Sequence, residues 1–304
     1  MTTTVPVLGE QAAGRSGLGS RIGTWLALAV IVLSLLSALF PALLAIRNPS
    51  AVNLSAVLTP PSWAHPMGTD EFGRDIASRI VYGARPVLLA SLLSVALGGV
   101  SGSLLGIVSG FAGGLTDLLL MRAVDLVMVF PSLLLALTLV TAFGATLNVV
   151  TIAIGLALLP VFARLMRGEV LRVKQEGYID AARWIGVSRV RTIATHILPN
   201  VAPSLLVLAT FTVGSAVLIA SALSFLGLGV GGTTPDWGLM LANGQEYITR
   251  AWWDVTMPGL AITALVLSVN LLGDRARDRL DPRTGHAVGA ARRGMLLGNR
   301  WGRR

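Results

Sequence analysis

A chain of 304 residues that is 54% hydrophobic and 13% charged, with positive mean hydropathy, reads as a polytopic membrane protein. It contains no cysteine, which excludes disulfides and thiol chemistry, and His65, His196 and His286 are too scattered in sequence to form a metal-ligand cluster. The formal charge of +9 falls in loops beside apolar stretches, with no basic patch interleaved with aromatics, so it speaks for membrane topology and against nucleic-acid binding.

In chain order, residues 1–23 lack periodicity and are expected to form a disordered cytoplasmic lead. Residues 24–46 have the length of a first membrane span, are too long for the apolar core of a signal peptide, and are expected to be retained. An extracytoplasmic segment, 47–85, follows. The core, 86–275, should then hold spans at 86–110, 118–143, 146–163, 204–226 and 255–272, six in all with the first. Residues 276–304 form an Arg-rich tail expected to rest near anionic lipid.

Within the span at 86–110, Gly98, Gly102 and Gly106 repeat every four residues, a small-residue stripe expected to pack inside one subunit rather than between two. Asp117, Arg122 and Asp125 lie near one end of the next span, where mutual pairing or a solvated interface is favoured over a proton relay. Trp237, Trp252 and Trp253 read as anchors at the outer interface. Lys and Arg sort clearly between the two sides. With the N-terminus inside, Arg15, Arg21, Arg122, the run from Arg164 to Arg191 and everything from Arg275 onward are cytoplasmic. Only Arg47, Arg74, Arg79, Arg85 and Arg250 fall outside, so both termini are expected in the cytoplasm.

The most informative loop is 164–200, and within it 176–200, EGYIDAARWIGVSRVRTIATHILPN. Tyr178, Ala182 and Ile185 fall on one face of a short amphipathic helix. Gly186 suits a left-handed stop, Ser188 can cap a second short helix with Val190, Ile193 and Ile197 on one side, and Pro199 closes the unit. Such a pair cannot bury both faces alone. It either rests on lipid head groups or docks into something.

The residues Asp180-Ala181-Ala182, then Gly186, then the run to Leu198-Pro199 resemble the EAA motif of ABC importer permeases, with Asp in place of the commoner Glu and His196 where isoleucine is usual. The outer segment HPMGTDEFGRDIASRIVYGAR resembles the GTDxxGRDxxSRxxxGAR signature of the second permease of peptide importers, the DppC/OppC type; Pro86-Val87 replaces the common Ser-Leu after it. Gly113-Gly114 with Phe130-Pro131-Ser132, Pro235-Asp236-Trp237-Gly238, Pro258-Gly259-Leu260 and Asn270 to Arg283 continue the likeness in order.

The resemblance implies an all-α membrane protein of the type I ABC importer permease fold with cytoplasmic coupling helices. It implies a multi-pass subunit of the cytoplasmic membrane translocating dipeptides or short oligopeptides. The implied partners are a second homologous permease, two ABC ATPase subunits that bind ATP and Mg, and an extracytoplasmic substrate-binding protein. ATPase docking would fall to Asp180, Ala181, Ala182, Gly186, Leu198 and Pro199; contact with the binding protein would fall to Gly68, Thr69, Asp70, Gly73, Arg74 and Asp75. No cofactor, metal or catalytic residue is expected in this chain. A metal set of His65, Asp70, Glu71 and Asp75 has no known ligand spacing and has arginines among its acids. The chain carries no phosphate loop and no GxSxG or HExxH, so ATP hydrolysis is not expected of it. Nickel, glutathione or haem as cargo for the same assembly remains open. A self-sufficient secondary transporter or channel would need ionisable or unwound sites near the bilayer midplane, which the spans lack.

Overall fold

The computed structural model describes residues 18–230 and 234–280, which form helices joined by turns and no strand, apart from one isolated bridge between Thr69 and Asp75. The tail beyond 280 and most of the expected N-terminal lead lie outside the described residues. The helices are α1 (Leu18–Leu39), α2 (Pro41–Leu44), α3 (Ile76–Ala112), α4 (Gly114–Met128), α5 (Ser132–Phe143), α6 (Leu147–Lys174), α7 (Gly177–Trp184), α8 (Arg189–Thr192), α9 (Leu198–Phe225), α10 (Trp237–Gly244) and α11 (Trp252–Leu280). Of these, α1, α3, α6, α9 and α11 are long and apolar enough to cross a membrane, and α4 with α5, bent by 83° at their break, makes a sixth when the pair is counted as one crossing. Counted so, each of the six expected spans has a helical counterpart, with different limits.

Each difference has a local cause. α1 begins inside the expected lead and stops at Leu39, because Pro41 forces Phe40 out of helical geometry (φ −131°, ψ 57°) and restarts the chain as α2. α3 starts at Ile76 rather than at Pro86, since the Asp75 carboxylate caps it by accepting from the Ser78 N–H at 2.9 Å. Pro86 sits in its interior, where it removes one backbone bond without ending the helix. Pro131 stands at the α4–α5 break.

α3 and α6 make the most extensive helix pairing. A Cβ placed on Gly98, Gly102 or Gly106 would fall on the carbonyl oxygens of Gly155, Leu159 and Ala163, so the stripe packs within this subunit, as its spacing suggests. Close backbone approach of this kind gains dispersion contacts in lipid, where apolar burial between helices drives little.

Trp237 and Trp253 are corrections: they are not interfacial anchors. Trp237 is 2% exposed; it lies against Gly83 and donates from Nε1 to the Ile80 carbonyl at 2.9 Å, pinning α10 to α3. Trp253 likewise lies against Gly68 and donates to the Thr69 carbonyl at 3.2 Å, pinning α11 to the segment before α3. Of the three expected anchors, Trp252, at 53% exposure, is the one free to meet an interface. Trp237→Phe removes this inter-helix hydrogen bond and shrinks the ring between α10 and α3, so a loss of about 1 kcal/mol is expected, read as a lower thermal midpoint of the purified protein.

Asp236 caps α10 by accepting from the N–H groups of Gly238 and Leu239 at 2.9 and 3.3 Å. Burial is the largest influence on this carboxyl and pushes it above its ordinary value of 3.8, against hydrogen bonds from Ser224 and those two backbone groups. The folded state therefore holds the proton more tightly than the unfolded chain. The resulting stabilisation is complete below pH 3.8 and disappears as pH rises through the raised value. A thermal midpoint that falls less steeply over that window in Asp236→Asn than in the parent is the expected result.

Candidate functional site

The loop after α6 is built as the sequence suggests up to its last turn. α7 runs to Trp184, and Gly186 follows in left-handed geometry (φ 81°) with open space around its Cα. Ser188 caps α8, its side chain accepting from the Arg191 N–H at 3.4 Å. The expected stop at Pro199 does not occur. A π-helical turn, Ile193–Ile197, carries α8 straight into α9, and Pro199 occupies the first turn of α9, where its missing N–H is no loss.

One side of this unit is anchored. Ile179 from α7 and Ile197 from the π turn are buried against Ile107, Met166, Val170, Val173 and Val201. The Asn200 amide donates to the Tyr178 hydroxyl at 3.2 Å and to the His196 carbonyl at 2.6 Å, and the Tyr178 and His196 rings lie 5.9 Å apart. His196, the departure from the usual isoleucine, is thus a packing partner of Tyr178. Lys174, the only lysine in the chain, donates to the Gly110 and Phe111 carbonyls at 3.3 and 2.9 Å, satisfying the end of α3 and fixing the root of the loop.

The other side is uncovered. Asp180, Ala181, Gly186, Leu198 and Pro199 are all exposed, while the Ala182 side chain lies outside what is described. Asp180 lies in the first turn of α7, where the helix dipole favours its charge. Beside these residues stand Trp184 at 88% and Ile185 at 80% exposure, with Val190 also bare. Sequence reasoning placed Ile185 on the apolar face but passed over Trp184, a large aromatic in an eight-residue helix too short to bury it. Val190, expected beside Ile193 and Ile197, points away from them into the open.

The segment before α3 is organised by its acids. Asp70 accepts from the Phe72 and Arg74 N–H groups at 3.0 and 2.8 Å, pairs with Arg74 Nε at 2.6 Å and lies 3.4 Å from Arg79 Nε. Asp75 accepts from Ser78 and meets His65 Nδ1 at 2.9 Å, which leaves Arg79 to Asp70. Glu71 turns to Arg74 as well, at 2.9 Å. Gly68, Thr69, Asp70, Gly73 and Asp75 are buried and Arg74 is half-buried, while Trp63 and Phe72 are the exposed aromatics of this segment.

At the loop end of the bundle, Asp117, Arg122 and Asp125 do not pair with one another. Arg167 of α6 grips Asp117 in a two-toothed contact at 2.6 Å, Ser109 donates to the same carboxylate, and Arg164 reaches Asp125 at 2.7 Å. Arg122 is exposed and makes no ion pair among the described residues.

Comparisons with known proteins bear on this arrangement. The family described as "Binding-protein-dependent transport system inner membrane component" matches residues 102–286. The chain is 44% identical over 256 residues to the probable D,D-dipeptide transport system permease protein DdpC of Escherichia coli (strain K12), covering 84% of this chain and 86% of that one. It is 42% identical over 264 residues to the di/tripeptide transport system permease protein DppC of Pseudomonas aeruginosa (strain UCBPP-PA14), covering 85% and 87%. Among solved structures, a chain of the MetNI methionine ABC transporter in its inward-facing CY5 native crystal form superposes with a TM-score of 0.54 at 19% identity, covering 66% of this chain and 96% of that one. That likeness is one of fold.

Proposed function

Because the chain belongs to the family of binding-protein-dependent transport system inner membrane components, we propose that it is one permease of an ATP-driven importer of dipeptides or short oligopeptides. The observation that carries the coupling role is the α7–α8 unit: anchored through Ile179 and Ile197, and bare across Trp184, Ile185 and Val190. An apolar face exposed on a rigid base is a protein-docking surface, and ATPase closure against it can tilt α6 and α9, which the loop joins directly. In this reading Asp180, Ala181, Ala182, Gly186, Leu198 and Pro199 frame the docking face. The loop and both termini are cytoplasmic, and ATP and Mg are bound by two ATPase subunits. A second, homologous permease completes the path, and a binding protein delivers peptide at the opposite face. Nearby relatives named for dipeptides and di/tripeptides support the choice of cargo.

The buried state of Gly68, Thr69, Asp70, Gly73 and Asp75 gives them a supporting part on that outer face: they hold the surface on which Trp63 and Phe72 are presented to the binding protein. The test is uptake of a labelled dipeptide into liposomes holding the co-expressed complex. Uptake that requires both ATP and the loaded binding protein is the expected result. Uptake by this chain alone, without an ATPase, would contradict the proposal.

A further inference from the structure

α4 and the loop-side end of α6 carry charges that are not withdrawn into the chain. Arg164 and Asp125 are 52% and 44% exposed while paired with each other, and Arg122 is exposed with no ion pair among the described residues. Asp125 lies about three turns into α4 from Gly114, at ~3.6 residues per turn. Charges near the end of an apolar bundle line water or a polar partner rather than hydrocarbon.

The same surface is concave. Gly114, Asp117, Leu118, Met121, Arg122, Asp125 and Arg167 line an open groove of about 390 Å³, within the size range of small-molecule sites. Its free hydrogen-bonding capacity has both signs. The guanidinium of Arg122 is unengaged, and Asp125 meets Arg164 through Oδ1 alone. Asp117, by contrast, is saturated by Arg167 and Ser109, which makes it part of the wall.

We propose that this groove is a hydrated station on the translocation path, at its cytoplasmic mouth, that holds a zwitterionic short peptide with its carboxylate on Arg122 and its ammonium on Asp125. The inference rests on the peptide-importer reading above and adds residues to it. Solvated charges bind weakly, which suits a station that must release its cargo. Phe130 and Val129, bare at the bend between α4 and α5, stand immediately beyond it on the same broken crossing.

The absence of native cysteine makes the groove directly testable. Leu118→Cys, and separately Met121→Cys, is introduced into the full complex in inside-out vesicles and reacted with a water-soluble cationic methanethiosulfonate, with modification read on this chain by mass. Leu118 is exposed, so the substitution leaves the fold intact. Rapid labelling is expected, slowed several-fold by millimolar glycyl-leucine but not by its N-acetylated amide, which bears neither charge. The protection should vanish in Arg122→Gln and in Asp125→Asn.

Labelling that glycyl-leucine leaves untouched, in a complex that still drives ATP- and binding-protein-dependent dipeptide uptake into right-side-out liposomes, overturns the station while leaving the importer standing. Failure of that uptake overturns the importer itself. Equal protection by the capped compound would show mere occlusion. Absent labelling would show a partner chain covering the groove, and protection that follows phosphatidylethanolamine content without peptide would show a lipid headgroup there. Each of these three also overturns the proposal.

Discussion

Replacing Ile185 by Glu is expected to abolish ATP-driven uptake while leaving the chain folded in the membrane. The side chain is four-fifths exposed and touches no core cluster, so a charge there costs the isolated subunit little. In the complex the same carboxylate would be trapped, unpaired, in an apolar contact. Central aromatic or aliphatic anchors of an interface contribute on the order of 2 kcal/mol or more when lost, and at ~1.4 kcal/mol per tenfold that weakens association roughly 30-fold. Trp184→Ala should act in the same direction. Recovery of the ATPase with the tagged permease, beside the amount of permease in the membrane, separates lost docking from lost folding. Normal ATPase recovery with normal uptake in Ile185→Glu would remove this face from the docking surface.

Gly102→Leu should produce the opposite phenotype, in which the chain itself fails to accumulate. Its added carbons have nowhere to go, since the first would already meet the Leu159 carbonyl oxygen and the Phe162 Cβ across the α3–α6 contact. Overpacking a close contact costs about 1–3 kcal/mol when neighbours can shift; here one neighbour is backbone, and total stability is only about 5–15 kcal/mol. Gly168→Leu is the matched control, because Gly168 lies in α6, the helix that faces Gly102, and has no atom near its Cβ position. Membrane levels of the two variants, measured against the parent, decide the matter. Equal accumulation of Gly102→Leu would mean that α3 and α6 can separate at no cost.

These two variants also mark what could be read from the sequence and what could not. The glycine stripe was legible because helical period alone puts Gly98, Gly102 and Gly106 on one line, and the helix they face need not be known. Gly186 and Ser188 were legible because turn and cap chemistry is local. Trp237 and Trp253 were not, because their partners, Ile80 and Thr69, lie 157 and 184 residues away in the chain. A tryptophan beside an apolar stretch reads as an interfacial anchor until the fold supplies a carbonyl for its N–H.

The start of α3 was hidden for a related reason. Ser78 and Arg79 look like loop residues, yet both bond to the outer segment, Ser78 to Asp75 and Arg79 to the Pro49 carbonyl at 3.3 Å, so the helix begins ten residues before its apolar run. Pro199 misled as a terminator because proline is equally at home in the first turn of the next helix. At the candidate docking face the motif marked the place, but Trp184 stood out only once α7 proved too short to cover it.

The ATPase is expected to meet this chain at the α7–α8 unit. With no native cysteine in the way, Ile185→Cys carries a short photoreactive cross-linker in the assembled complex, and Trp63→Cys carries it at the opposite end of the bundle. An adduct with the ATPase subunit from Ile185→Cys, and none from Trp63→Cys, is the predicted result. An adduct from Trp63→Cys, with Ile185→Cys reaching only lipid, would contradict both the docking face and the orientation of the chain.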